Sequence, residues 1–144
     1  MEQHEQSAPA TNVTSGVVTV RPVALDAQQS QQALPYFVGV SAATCGSRGI
    51  CMERLVIPPG GAARPHIHQD FETAIYVLSG EVETRFGDGL RESCVNSAGD
   101  FVYIAPGVPH QPRNLSQSEP AIAIIARNDA SDQEHVIPYT LPEE

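Results

Sequence analysis

The apolar residues of this chain fall into short runs separated by turn-forming residues. Val, Ile, Leu and aromatic side chains dominate these runs, which are typical of strands. The segment Pro58-Pro59-Gly60-Gly61 and several other Gly and Pro clusters supply the turns between them. A short helix is also predicted over residues 26–34, with Asp26 as its N-cap. The predicted strands cover residues 17–20, 36–40, 50–57, 74–78, 81–86, 100–104 and 121–127.

Strands this short, without long helices between them, favour an antiparallel sandwich or barrel over a parallel sheet. The chain of 144 residues has room for one such domain. Residues 16–127 contain every predicted strand and are expected to form the all-β barrel. Residues 1–15 are polar and are expected to form a flexible arm, and residues 128–144 to form an acidic tail on the surface.

The charge of the chain excludes several classes of function. A formal net charge of −9 argues against binding nucleic acid or anionic membranes, both of which need clustered cations. All eight basic residues are Arg, so no Schiff base can form on a lysine side chain. This excludes lysine-type aldolase chemistry and pyridoxal anchoring.

The distribution of apolar residues and cysteines predicts a cytoplasmic protein. Residues 1–16 lack the apolar segment of a signal peptide, and no run of 18 apolar residues occurs. The three cysteines lack CxxC spacing and are expected to be reduced thiols. A disulfide bond between Cys45 and Cys51 is the alternative.

Three of the five histidines lie in two short segments. His66 and His68 alternate in an extended segment, so their side chains share a face, with Cα atoms about 7 Å apart. Imidazoles at this separation can converge on one ion at about 2.0–2.1 Å. Glu72 follows within one short bend, and His110 comes directly after a Pro-Gly-Val-Pro turn. We therefore interpret these four residues as candidate ligands of a divalent metal ion.

The two segments resemble the two sequence motifs of the cupin superfamily. The first motif, G-x5-HxH-x3–4-E-x6-G, is approached by Gly60, His66, His68, Glu72 and Gly80. The second motif, G-x5-PxG-x2-H-x3-N, is approached by Gly99, Gly107, His110 and Asn114. The resemblance implies a small jelly-roll barrel with one divalent ion held by the three histidines and Glu72.

The chain departs from these motifs at two places. Ala105 stands where cupins usually have the first proline of the second motif. In addition, Glu72 lies eight positions before Gly80, so that the glutamate place of the longer motif falls on Thr73. Regular strand pairing would turn Glu72 and Thr73 to opposite faces, whereas a β-bulge near Thr73 would return Glu72 to the inner face. We predict Glu72 as a ligand, with a three-histidine site completed by water as the alternative.

The ligand types limit the metal, and the strand composition limits the substrate. Imidazole with one carboxylate suits Zn, Fe, Mn or Ni, of which we favour Zn. Mostly aliphatic strands predict a cavity for a hydrophobic or aromatic small molecule. Besides His110, the candidate catalytic side chains beside this cavity are Arg64, Tyr76 and Gln111, and Tyr103 is a further polar candidate there.

Within the superfamily, the chain is similar in size and layout to small stand-alone bacterial cupins. These include the cyclases of aromatic polyketide pathways, of the tetracenomycin and resistomycin kind. The resemblance implies a metal-dependent cyclase in which the ion stabilises the enolate of a poly-β-keto chain before intramolecular aldol attack. The alternatives are an Fe(II)-dependent dioxygenase acting on a small aromatic or diketone substrate, and a non-catalytic ligand sensor. A homodimer is expected because barrels of this family often exchange an N-terminal strand, which residues 17–20 would supply.

Overall fold

The computed structural model describes residues 10–14, 16–21, 28–29, 34–131 and 135–142. Almost all of the regular structure in these residues is β-strand. One short helix, α1 (Ala42–Cys45), and a single 3-10 turn, Asp88–Leu90, are the helical elements of the described part. The strands are β1 (Ala10–Thr14), β2 (Val17–Arg21), β3 (Gln28–Gln29), β4 (Pro35–Val40), β5 (Cys51–Ile57), β6 (His66–His68), β7 (Thr73–Ser79), β8 (Glu81–Phe86), β9 (Glu92–Ser97), β10 (Phe101–Ile104), β11 (His110–Asn114), β12 (Ala121–Arg127) and β13 (Val136–Pro138).

Two antiparallel sheets form the barrel. One has the order β10-β7-β12-β5-β4-β3 and the other the order β13-β6-β11-β8-β9, while β1 and β2 make a separate hairpin. Residues of β5 and β12 alternate between buried and more exposed positions, as expected for strands with one face on a core. The prediction of an all-β jelly-roll barrel is confirmed. The buried core comprises Leu34, Tyr36, Val38, Leu55, Ile57, Ala63, Val82, Ala121 and Ile125.

The structure differs from the sequence predictions at both ends of the barrel. Within the predicted flexible arm, Ala10–Thr14 pairs with β2 as a strand, while residues 1–9 and 15 lie outside the described residues. Within the predicted tail, Val136–Pro138 pairs with β6 and extends the second sheet. The predicted helix over 26–34 lies mostly outside the described residues, but Gln28–Gln29 forms a strand beside β4. Backbone pairing accounts for each difference: Gln28–Gln29 and Val136–Pro138 are edge strands of the two barrel sheets, whereas Ala10–Thr14 pairs with β2 in the separate hairpin.

Two connections place the ends of β6 and β11 next to each other. Gly107, at φ +79°, makes the turn before β11, and its backbone N–H donates to the carbonyl of His68 at 2.9 Å. Asn114, at the far end of β11, donates from Nδ2 to the carbonyls of Ile57 and Glu119 at 3.0 and 2.7 Å. The Gly107 bond holds His110, the first residue of β11, beside β6, and the Asn114 bonds fix the other end of the strand.

Two further sequence predictions concern the state of the cysteines and the absence of membrane-spanning segments. Cys45, Cys51 and Cys94 are free thiols, so the Cys45–Cys51 bridge is not formed. None of the helices in the described residues is long and apolar enough to cross a membrane.

Candidate metal centre

Three buried histidines meet inside the barrel. His66 and His68 lie on β6, and His110 opens β11 directly opposite His66 in the strand register. Each of the three is at most 5% exposed. One nitrogen from each ring lies within 4.8 Å of the other two, and the ring centroids are 4.2 to 5.5 Å apart. Alternation along β6 turns the His66 and His68 rings to the same face, and the pairing of β11 with β6 places the His110 ring beside them.

Backbone carbonyls orient two of the rings. His66 Nδ1 donates to the carbonyl of Arg64 at 2.7 Å, and His110 Nδ1 donates to the carbonyl of Val108 at 2.9 Å. With Nδ1 carrying the proton, Nε2 of each ring is left with a lone pair, as in metal-binding histidines. His68 Nε2 is buried and has no hydrogen-bond partner among the residues that the structure describes. A buried acceptor without a donor is costly, and a cation would satisfy it.

Burial keeps all three imidazoles neutral. Loss of solvation is the largest cause, lowering the pKa of His66 to about 3, of His68 to about 2 and of His110 to about 4. The positive charge of Arg127 lowers each pKa further. Neutral imidazole is the form that binds metal ions, so the trio needs no proton release at neutral pH. The donor set, its burial and its orientation therefore fit a divalent ion.

The structure does not bring Glu72 into this cluster. Its side chain is exposed, and its backbone N–H donates to Asn128 Oδ1 at 2.8 Å. Thr73, the first residue of β7, is buried instead, and pairs with Arg127 in regular register. The register shift between β12 and β7 lies far from Thr73, at the opposite end of the pair. Because there is no bulge near Thr73, the alternation of side chains along the strand turns the Glu72 carboxylate outward. The predicted site of three histidines and Glu72 is therefore corrected to the three histidines.

The structure also corrects the placement of the other candidate catalytic side chains. Tyr76 lies on the outer face of its sheet, where its ring packs against Phe101 with centroids 4.8 Å apart. Gln111 Nε2 donates to the Ala63 carbonyl at 3.0 Å, and Gln111 is not among the residues that line the cavity. The remaining two, Arg64 and Tyr103, are exposed. Of the five candidates, His110 alone lines the cavity.

The cavity beside the histidines is small and apolar. Its volume is about 60 Å³. That is room for about five water molecules, well below the roughly 300–1,000 Å³ of sites for drug-sized ligands. Most of its wall is aliphatic, as the strand composition predicted, and includes Leu55, Ile57, Ile75, Val77, Val102 and Ile125.

Two charged residues that the sequence reasoning missed share this wall with the histidines. They are Glu53 and Arg127, and Thr73, Thr84 and Asn96 are further polar residues of the wall. The side chains of Arg127 and Glu53 are 6% and 2% exposed, and Arg127 Nη1 lies 3.8 Å from Glu53 Oε1. Strand alternation in the fold accounts for their position, because Glu53 is in phase with the buried Leu55, and Arg127 with the buried Ile125.

Comparison with known proteins gives one family and a set of similar folds. Residues 53–126 match the family model described as a cupin domain. Germin-like protein 3-1 of Oryza sativa subsp. japonica is 28% identical over 96 residues, which are 65% of this chain and 43% of that protein. The chain therefore spans less than half the length of this curated relative.

Two solved structures show the same fold. Lactobacillus farciminis oxalate decarboxylase, in a formate complex, aligns with a TM-score of 0.65 and 17% identity, over 78% of this chain and 32% of that one. The protein TT1209 from Thermus thermophilus aligns with a TM-score of 0.55 and 22% identity, over 71% of this chain and 89% of that one. At these identities the likeness is one of fold.

Proposed function

The chain belongs to the cupin family, and from this membership and the histidine cluster we propose that it is a metal-dependent enzyme acting on an enolisable carbonyl compound. The observation that carries the proposal is the convergence of three buried, neutral imidazoles with no competing donor for His68 Nε2 in the described residues. We propose His66, His68 and His110 as the ligands of one divalent ion per chain. Imidazole ligands suit Zn, Fe, Mn or Ni, with Zn our first choice.

The residues around the proposed ion define what it would do. An ion in this position would supply Lewis acidity, which lowers the pKa of a methylene between two carbonyl groups and stabilises the enolate. The three histidines would hold the ion, and backbone carbonyls fix the orientation of the His66 and His110 rings. The aliphatic walls exclude water from the enolate, which strengthens its interactions with fixed charges.

Two fates of the enolate remain our candidates. Intramolecular aldol attack within a poly-β-keto chain, the cyclase reaction, follows from the resemblance to polyketide cyclases. Reaction with oxygen in an Fe(II)-dependent dioxygenase is favoured by the cavity volume of about 60 Å³, which suits a compact diketone better than a folded chain.

Metal content is the first test. We expect about one ion per chain in the purified protein, and strongly reduced metal in His66→Ala and His110→Ala, because each loses one of three ligands. His135→Ala is the matched control, since its ring is half-exposed and bonded to Asp129. Undiminished metal in both cluster variants would overturn the site.

The second test separates the reactions. Protein loaded with Zn, Fe(II), Mn or Ni is mixed with acetylacetone, and enolate absorbance and oxygen consumption are followed. Oxygen consumption with Fe(II) alone supports the dioxygenase, whereas ring closure of a poly-β-keto substrate without oxygen supports the cyclase. Failure of every loaded form to perturb the diketone spectrum would contradict the enzyme proposal and favour a ligand sensor.

The outer face of the six-stranded sheet supports the proposed homodimer. Phe101, Tyr103 and Leu78 are 82%, 62% and 50% exposed on this face. A contiguous exposed apolar surface is typical of an interface between proteins. Light scattering on the wild type and on Phe101→Ser tests this, with a monomeric wild type as the contrary result.

A further inference from the structure

The guanidinium of Arg127 is buried in the cavity wall with unused hydrogen-bond donors. Its Nε and Nη1 have no acceptor within hydrogen-bond distance in the described part of the chain. The hydroxyl of Thr73 is in the same state, and Thr73 and Arg127 are register partners on adjacent strands. We propose that Arg127 and Thr73 form an anion subsite, which binds a carboxylate of the substrate beside the histidine cluster.

The ion pair with Glu53 does not occupy this subsite. The 3.8 Å between Arg127 Nη1 and Glu53 Oε1 exceeds hydrogen-bond length. Glu53 therefore offsets the charge of the buried guanidinium, which would otherwise be costly, while leaving its donors available. Nε and Nη1 of the guanidinium can each donate a charge-assisted hydrogen bond to a carboxylate oxygen, and the Thr73 hydroxyl adds a further donor.

The subsite and the histidine cluster face one cavity. Arg127 and Thr73 line it together with His66 and His110. Arg127 is also close enough to lower the pKa of all three histidines. In a volume of about 60 Å³, the part of a ligand that joins the two places must be short. These limits point to a small β-keto acid, with its carboxylate on Arg127 and its keto oxygen toward the histidines.

The position of the keto group rests on the proposed metal function, whereas the carboxylate contact does not. The two can therefore be tested apart. Acetoacetate and acetoacetamide share one skeleton and differ in charge at the end that would face Arg127. Their affinities are measured by calorimetry on the full chain, both metal-free and Zn-loaded.

We expect the wild type to bind acetoacetate at least about tenfold more tightly than the amide, since hydrogen bonds between charged groups are the stronger ones. Thr73→Val, which keeps the side-chain shape, should reduce this preference severalfold. The double variant Arg127→Gln with Glu53→Gln, which removes both charges together, should abolish it. Arg113→Gln, whose side chain is 51% exposed on the barrel surface, is the matched control and should keep it.

Equal affinity for the two probes in the wild type would overturn the subsite, as would a preference that survives in the double variant. The pair would then be a structural ion pair alone. Should the double variant unfold, Thr73→Val carries the test, and an unchanged preference in that variant overturns the proposal. A preference that appears in metal-free protein, with no ion bound under any condition, would support the subsite while refuting the metal function.

Discussion

Acidification should begin to destabilise the metal-free protein at a pH above that at which its carboxylates titrate. The three cluster histidines have an ordinary pKa near 6.5 in the unfolded chain, and burial lowers the pKa values to about 3, 2 and 4 in the fold. Between these limits the unfolded chain binds more protons than the native one. Stability is therefore fully present above about pH 6.5 and is lost as the pH falls below it.

The size of the effect follows from proton counting. Near pH 5 the unfolded chain carries nearly three more protons on these residues, so the free energy of unfolding should fall by about 4 kcal/mol per pH unit. Domains of this kind have only about 5–15 kcal/mol in total. Summed over the three residues, the loss reaches about 5 kcal/mol near pH 5.3 and about 10 kcal/mol near pH 4, so a metal-free barrel with a stability in that range is expected to unfold between about these two pH values. A bound divalent ion should move the transition to lower pH, because it competes with protons for the same nitrogens.

Urea titrations of chelator-treated protein at several pH values between 5 and 7 measure this slope. His68→Gln should lower it to about two-thirds of the wild-type value, because one buried titrating ring is gone. Thr73→Val alters the same cavity wall without removing a titrating group, and should keep the wild-type slope. The reasoning would be refuted if the free energy of unfolding of the wild type changed with pH by less than one proton's worth, about 1.4 kcal/mol per pH unit. It would also be refuted if His68→Gln had the same slope as the wild type.

Three further changes should alter stability, each measured as a shift of the urea midpoint. Asn114→Ala removes the hydrogen bonds of a buried amide to two strand-end carbonyls and the acceptor of a third bond, and should cost about 3 kcal/mol. Gly80→Ala should cost about 2 kcal/mol or more, because φ is +91° and the new Cβ would meet Ala121 at 2.9 Å. Arg127→Met should cost about 3–5 kcal/mol, and adding Glu53→Leu should restore most of it, since the loss comes from breaking a buried pair.

The short strands and the shared facing of His66 and His68 were accessible from sequence because both depend on short-range patterns. The jelly-roll barrel and the place of His110 beside the other two histidines came instead from the resemblance to the cupin motifs. The strand β9 (Glu92–Ser97) was missed because nearly all of its side chains are exposed, so its sequence shows no alternation of apolar and polar residues. The strand β13 (Val136–Pro138) was missed because three residues are too few to show a pattern.

The facing of Glu72 could not be decided from the sequence. The two alternatives, regular pairing or a bulge near Thr73, differ in contacts with β12, more than 40 residues away along the chain. Local propensity says nothing about that pairing. The facing of Glu53 and Arg127 was equally undecided, since both phases of β5 and of β12 carry apolar residues and only the fold shows which phase is buried.

The register that turns Glu72 outward also shapes the charge of the cavity. Regular pairing places Thr73 opposite Arg127, so a neutral hydroxyl faces the guanidinium where the family motif has a carboxylate. Three neutral imidazoles leave the full double charge of a divalent ion, whereas a fourth carboxylate ligand would halve it. With Arg127 alongside and Glu53 as its counter-charge, the cavity would be strongly positive when metal is bound. Such a field stabilises enolates and carboxylates together. The missing fourth ligand and the anion subsite therefore follow from the same strand register, and a bulge engineered before Thr73 should weaken anion binding as it brings Glu72 inward.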